Sequence, residues 1–355
     1  MGHLEGCRIG SESTECVPQP LIAAEAGSGW ILASFDGDSL LVRRGFSELA
    51  RCRLGSRTSL CHPEPILFPE DSPQPVELVH SGNLIAFKAT GLENRLPPGC
   101  DRADASIGCN PQLTPIVRLH ACWLDRETSL CDPIPLTSTV PFESVSGLDV
   151  SRRRVVWAVA GDDENMAVHF CEFIQETREC VDQRLGGAAA TQKHPSIDSN
   201  RVVWEDARLG KSGIFGFELP RLRAPRRLRS RPGQPFWIPL WGTSGSSDSI
   251  RYEVHAFDGI GPESAHARVV VLRPNSNHAI LFGRIPESAS GDILWRLRAI
   301  GDEGVYTDQI LKISVEGQRR RHRARPARVH DRNEKDSSSR ISFRHRTWPR
   351  AIRKD

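Results

Sequence analysis

CWLDRETSLC, residues 122–131, contains two cysteines separated by eight residues, and the same spacing recurs along the chain. All ten cysteines fall into five such pairs: Cys7/Cys16, Cys52/Cys61, Cys100/Cys109, Cys122/Cys131 and Cys171/Cys180. In an antiparallel hairpin, facing residues differ by an odd number, and the Cα atoms of a non-hydrogen-bonded pair lie about 4.5 Å apart. That distance is at the short end of the disulfide range. The spacing therefore predicts β-hairpins closed by disulfides between facing cysteines.

Disulfides indicate an oxidising compartment, which means the periplasm, the cell surface or the extracellular medium. The alternative is that the cysteines are reduced or bind metal. Zinc sites use pairs separated by two to four residues and grouped in fours, and the chain contains no such groups. The first residues, MGHLEGCRIG (1–10), contain no apolar segment of the signal-peptide type. We therefore expect the signal peptide and the start of the first repeat to be missing from this chain.

A second element recurs as a short aliphatic strand, at SGWILAS (28–34), SGNLIAF (81–87), RRRVVWA (152–158) and SNRVVWE (199–205). Such runs are typical of buried strands. Together with the hairpins they predict four-stranded units of about 45 residues, the size of β-propeller blades. The predicted blades are a half repeat at 1–17 and units at 18–62, 63–132, 133–181 and 182–229. The fold class is thus all-β, with a partial propeller at 1–229.

One unit, HPSIDSNRVVWEDARLGKSGIFGFEL (194–219), resembles the TolB-like propeller repeat. The resemblance lies in Pro195, Ile197, Val202, Val203, Trp204, Glu205, Asp206, Gly210, Ile214 and Phe215. It implies a propeller, a location in the cell envelope, and protein or glycan partners. The same repeat places Trp157 and Trp204 at equivalent positions, where we expect both to pack between blades.

The character of the chain changes after an arginine-rich stretch that we interpret as a linker, with Arg221, Arg223, Arg226, Arg227, Arg229 and Arg231. Residues 232–317 then contain six or seven short alternating strands, which predict a C-terminal β-sandwich. Its end resembles bacterial Ig-like or cadherin-like modules. Residues 318–355 hold 14 Lys/Arg and 4 Asp/Glu, so the tail is basic while the remainder is mildly acidic. We interpret the tail as disordered, with binding of polyanions as the alternative.

The best candidate site in the sequence is a rim of acidic residues after the second strand of each unit, consisting of Asp36, Asp38, Asp162, Asp163 and Asp206. Carboxylates of this kind suit Ca²⁺, but aspartate is also a common turn residue. No catalytic motif is present. His62, His80, His169 and His194 lie beside strands, where we expect structural roles.

These observations predict a non-catalytic binding or scaffold protein outside the cytoplasm, with no cofactor and with a protein or glycan partner at the cell envelope. Two alternatives remain open. One is a hydrolase or lyase with its site in the central channel of the propeller, which motifs would not reveal. The other is a structural surface module of a longer chain. The absence of an Asn-x-Ser/Thr sequon favours a bacterial source, and no apolar run is long enough to span a membrane as a helix.

Overall fold

The computed structural model describes residues 5–6, 19–20, 30–45, 48–54, 62–95, 112–125, 127–138, 140–141, 144–161, 165–185, 191–207, 211–245, 250–272, 277–301 and 304–316. Strands form nearly all of its regular structure, which confirms the all-β prediction. Several predicted features lie outside the described residues, namely Cys7, Cys16, Cys61, Cys100, Cys109, Asp162, Asp163 and the tail 318–355.

The chain begins with a short antiparallel pair, β1 (Glu5–Gly6) and β2 (Gln19–Pro20). Four antiparallel sheets follow in chain order. The first contains β3 (Trp30–Asp36), β4 (Ser39–Arg44), β5 (Glu48–Arg53) and β6 (Glu64–Pro65). The second contains β7 (Pro75–Ser81), β8 (Leu84–Arg95), β9 (Gln112–Trp123), β10 (Ile134–Pro135) and β11 (Val140–Pro141). The third contains β12 (Val145–Ser151), β13 (Arg154–Ala160), β14 (Met166–Ile174), β15 (Glu179–Cys180) and β16 (Gln183–Leu185), and the fourth β17 (Gln192–Asp198), β18 (Arg201–Asp206) and β19 (Gly213–Glu218).

Successive sheets stack through their first strands, since β3 contacts β7, β7 contacts β12, and β12 contacts β17. A large side chain on each second strand packs into the core shared with the preceding sheet. Phe87 lies between the first and second sheets, Trp157 between the second and third, and Trp204 between the third and fourth. The prediction that Trp157 and Trp204 pack between repeats is therefore confirmed.

A repeated hydrogen bond aligns the turns that join the first and second strands of neighbouring sheets. In each case, the side chain of the last residue in a sheet's first strand accepts a hydrogen bond. The donor is the backbone N–H of the first residue in the equivalent turn of the next sheet. The bonds run from Gly82 to Asp36 Oδ2 (2.8 Å), from Arg152 to Ser81 Oγ (2.8 Å) and from Ser199 to Ser151 Oγ (2.9 Å). All three donor residues have positive φ, near 60°. Sequence-distant turns are thereby brought together along one edge of the stack.

The turn alignment corrects the predicted repeat boundaries. SGWILAS (28–34) is not equivalent to the other three aliphatic runs, because it lies in a first strand, β3, whereas they lie in second strands. Its true counterpart is β4, after the turn at Gly37. The error arose because both strands of this hairpin are aliphatic, so composition alone did not distinguish them. The last short strands, β6, β10 and β16, complete the sheet before them instead of opening the next unit.

The predicted local disulfides are confirmed where both cysteines are described, with Cys122–Cys131 and Cys171–Cys180 at Cα–Cα distances of 5.4 and 5.3 Å. Cys52 is also disulfide-bonded. The predicted facing register is wrong, however, because Cys180 lies opposite Phe173 and not opposite Cys171. The Cys171–Cys180 bridge is therefore diagonal across its hairpin.

The turn chemistry explains this shift in register. The four residues between Ile174 and Glu179 form the turn, and its last residue, Arg178, has a φ of 53°. The equivalent residue of the second sheet, Ser129, has a φ of 55°. A left-handed residue at the end of a turn is a standard way to close longer hairpin loops. Compared with a two-residue turn after Ile174, the four-residue turn moves the centre of the hairpin by one residue. Cys180 therefore lies opposite a residue two positions away from Cys171.

The C-terminal part contains two four-stranded sheets that share one hydrophobic core, to which both Phe236 and Trp295 contribute. One sheet has the order β20 (Arg221–Arg223), β22 (Pro235–Thr243), β25 (His278–Arg284), β24 (Arg268–Val271). The other has the order β21 (Arg227–Ser230), β27 (Tyr306–Val315), β26 (Gly291–Ile300), β23 (Arg251–Asp258), with β21 parallel to β27.

The arginine-rich stretch is therefore not a linker, and the predicted boundary at residue 229 is wrong. Its two short strands, β20 and β21, are the first strands of the two C-terminal sheets. Among the described residues, the fourth stacked sheet consequently has three strands. The misassignment has a simple cause: exposed arginines dominate the composition, while the inward residues Leu222 and Leu228 pack against the core. Within the described ranges, no helix is long and apolar enough to cross a membrane.

Candidate functional site: an arginine cleft

The described members of the predicted acidic rim do not come together. Asp36 and Asp38 lie at the turn between β3 and β4, whereas Asp206 ends a second strand, β18. Strand ends of these two kinds lie at opposite edges of the aligned sheets. In addition, Asp36 already accepts the inter-sheet hydrogen bond from Gly82. The prediction of a common rim is wrong for these three aspartates. The described residues also contain no group of three or more His, Cys, Asp or Glu placed to hold a metal ion.

Asp206 has a structural role instead. Its side chain is fully buried, and its Oδ2 accepts hydrogen bonds of 3.2 Å from Trp204 Nε1 and from Gln192 Nε2. Gln192 in turn accepts from the backbone N–H of Val168 on the third sheet. Asp206 therefore connects the fourth sheet to the third.

We expect Asp206→Ala to lower the free energy of unfolding by about 1–3 kcal/mol, because two buried donors lose their acceptor. Asp38→Ala, at an exposed turn position, is the matched control and should change stability by less than about 0.5 kcal/mol. Urea titrations of both variants measure the difference. Equal effects of the two substitutions would contradict the structural role of Asp206.

Three of the four candidate histidines contact other side chains of the fold, and the fourth is exposed. His80 is buried and its Nδ1 lies 2.8 Å from Ser34 Oγ. His169 Nδ1 lies 2.8 Å from Asp182 and the ring stacks on Trp157. His194 Nδ1 is 3.4 Å from Ser146 Oγ, and His62 is exposed.

A cleft that the sequence did not predict lies where the third and fourth sheets meet the C-terminal sheets. It has a volume of about 260 Å³. Its cationic lining comes from two segments about 70 residues apart: the turn and start of β13, and the strand β20 with the loop after it. The lining arginines are Arg152, Arg153, Arg154, Arg221, Arg223 and Arg226.

Arg154 anchors the floor of the cleft. Its guanidinium donates to the backbone oxygens of Ser199 and Pro220, each at 3.1 Å, and to Thr307 Oγ1 at 3.4 Å. Glu172 Oε2 lies 3.8 Å away and also accepts from the Thr307 hydroxyl. Burial lowers the pKa of Arg154, Glu172 opposes that shift, and the nearby positive charges of Arg221 and Arg152 add to it.

The acidic residues of the cleft are already engaged. Asp308 forms two hydrogen bonds with Arg298, at 2.8 and 2.9 Å, and Glu172 is held by Arg154 and Thr307. In contrast, Arg152, Arg223 and Arg226 are exposed and form no ion pair with any described residue. The mouth of the cleft therefore presents guanidinium groups whose charge is not neutralised by any carboxylate in the part of the chain that the structure describes.

The signal for this site was present in the sequence as the run Arg152–Arg154 and the arginines from Arg221 onward, but as two separate features. One was assigned to a strand and the other to a linker. Comparisons with protein-family models and with curated protein sequences found no match to this chain.

Proposed function

We propose that this chain is a non-catalytic binding protein of an extracytoplasmic compartment, which holds acidic groups of an envelope partner in the arginine cleft. The disulfides support the location, because they persist in oxidising compartments. The arginine cleft, with guanidiniums left unneutralised at its mouth, is the observation that carries the binding function.

The stacked sheets support the interpretation as part of a β-propeller. Four consecutive meander sheets place their first strands side by side and align equivalent turns, as blades do. Residues 194–219, whose sequence resembles the TolB-like repeat, contribute β18 and β19 to the fourth of these sheets. The C-terminal strand orders match the ABED and GFC sheets of an Ig-like sandwich, with the first strand divided between β20 and β21.

Guanidinium chemistry indicates what the cleft would bind. Arginine presents planar pairs of donors that match carboxylate, sulfate or phosphate groups. Like charges held together repel one another, and a bound anion relieves that repulsion. Because Arg154 is fixed by three hydrogen-bond acceptors and Glu172, the floor of the cleft is organised before any partner binds.

We expect the double variant Arg223→Glu/Arg226→Glu to bind poly-L-glutamate at least about 10-fold more weakly than the wild type, because two charge-assisted contacts become repulsive. Isothermal titration calorimetry on the full chain at low salt measures this affinity.

The matched control is Arg53→Glu/Lys211→Glu, which changes the net charge equally at exposed positions outside the cleft. The basic tail is present in both proteins, so binding by the tail alone would leave them alike. Equal affinities of the two variants would refute the cleft as the anion site.

A further inference from the structure

The outer face of the sheet β20–β22–β25–β24 exposes aromatic side chains that are not part of the hydrophobic core. Along β22, Phe236, Ile238 and Leu240 point into the sandwich core. The alternating residues Trp237 and Trp241 point outward, with 72% and 43% of their surface exposed. Large exposed apolar groups gathered on one face commonly mark an interaction site.

The register arranges this face, which we call the tryptophan face, in two rows. One row runs from Arg223 to Trp241 to His278, since both pairs are directly opposite each other. The other runs from Trp237 to Phe282 to Arg268. Phe282 is 41% exposed. Directly opposite residues share a face of the sheet, so each row combines an aromatic ring with a cation.

The tryptophan face is continuous with the arginine cleft. A groove of about 700 Å³ is lined by Arg221, Arg223, Pro225, Trp241 and His278. Arg221 and Arg223 also line the cleft. Arg221 and Arg223 therefore connect the cleft to the groove that contains Trp241, so that a ligand bound in the cleft can extend to this side chain. Trp237 lies about 13 Å further along the strand.

The chemistry of these groups fits an extended, anionic polymer with ring-shaped units. The negative π-face of an aromatic ring attracts weakly positive C–H groups, such as those on the faces of sugar rings. Arginines select carboxylate or sulfate groups. Nucleic acids satisfy the same two requirements, but the disulfides indicate a compartment in which acidic polysaccharides are the more available polymers.

We propose that the tryptophan face and the arginine cleft form one binding surface for an acidic polysaccharide, in which Trp237 and Trp241 stack on sugar rings and Arg223 and Arg268 bind their acidic groups. The proposal rests on the proposed function, because it names the ligand class of the same arginine cleft.

Two probes with the same acidic group separate stacking from charge: polygalacturonate, which has sugar rings, and poly-L-glutamate, which has none. Trp237→Ala/Trp241→Ala should weaken binding of polygalacturonate about 10-fold, as the loss of two ring contacts implies. Binding of poly-L-glutamate should stay within about twofold of wild type. Trp237→Phe/Trp241→Phe keeps both rings and should retain most of the affinity for polygalacturonate. Thermal melting of each variant checks that the sandwich is intact.

Each outcome separates the two proposals. If the tryptophan variant binds both probes as the wild type does, the polysaccharide proposal is overturned while the cleft remains an anion site. If it loses both probes equally with unchanged melting, the tryptophans do not act by stacking on sugar rings, and the polysaccharide proposal also fails. If the Arg223→Glu/Arg226→Glu variant binds poly-L-glutamate normally, the proposed function itself fails. A single-stranded DNA probe that binds more tightly than polygalacturonate would replace the polysaccharide with a nucleic acid.

Discussion

Acidification from pH 7 to 4.5 is expected to destabilise the second sheet through two buried histidines, His80 on β7 and His120 on β9. Burial lowers the pKa of each to about 4. For His80, Arg51 adds to the shift and Asp36 opposes it; for His120, Arg118 adds to it. Both rings are therefore neutral in the folded protein at pH 5, whereas they are protonated in the unfolded chain below pH 6.5.

The direction in which stability changes with pH follows from proton binding. Between pH 6.5 and 4 the unfolded state binds more protons, so stability falls as the pH falls. Each histidine contributes on the order of 3 kcal/mol, fully present above pH 6.5 and lost by about pH 4. Urea midpoints at pH 7, 5.5 and 4.5 and at constant ionic strength measure the loss.

The control is His80→Gln/His120→Gln, which keeps polar side chains but removes both titrating groups. Its midpoint should vary much less between pH 7 and 4.5, even if the variant is less stable throughout. The pH range stays above the region in which carboxylates such as Asp125 and Asp292 become protonated; hydrogen bonds lower the pKa of both. An equally steep pH dependence in this variant would show that the histidines are not responsible.

Trp157→Ala should cost about 3–5 kcal/mol of unfolding free energy, because it leaves a large cavity in a fully buried site. Trp157 belongs to the same buried cluster as Leu119 and Phe173, in the core between the second and third sheets. The loss should appear as a lower urea midpoint. Trp157→Phe should be milder, because Trp157 Nε1 is buried without a partner among the described residues. Removing an unsatisfied donor offsets part of the lost packing.

The equivalent tryptophan of the next sheet provides the comparison. Trp204 Nε1 donates to buried Asp206, so Trp204→Phe loses packing and also removes a donor from the carboxylate. We expect Trp204→Phe to be more destabilising than Trp157→Phe, although the two residues occupy equivalent positions. The reverse order would contradict the hydrogen bonds assigned to the two indoles.

Short-range patterns predicted much of the fold. The spacing of Cys122/Cys131 and Cys171/Cys180 predicted hairpins with local disulfides, and the alternating segments of residues 232–317 predicted the short strands of the C-terminal part. Such features depend on residues a few positions apart, whose hydrogen bonds close within one hairpin. Even there, the left-handed turn residues Ser129 and Arg178 shifted the register, because turn conformation is not encoded by cysteine spacing.

The binding surface required contacts that spacing does not encode. Arg154 meets Thr307 across 153 positions of chain, and β20 leaves the fourth stacked sheet to pair with β22. Both contacts depend on the hydrophobic core against which each strand packs. The few inward-facing leucines that determine this packing are difficult to recognise in the sequence among the exposed arginines. The hairpins and their local disulfides therefore follow from residues that are close together in the sequence. The arginine cleft and the tryptophan face exist only because packing of distant strands brings like charges and exposed rings to one edge.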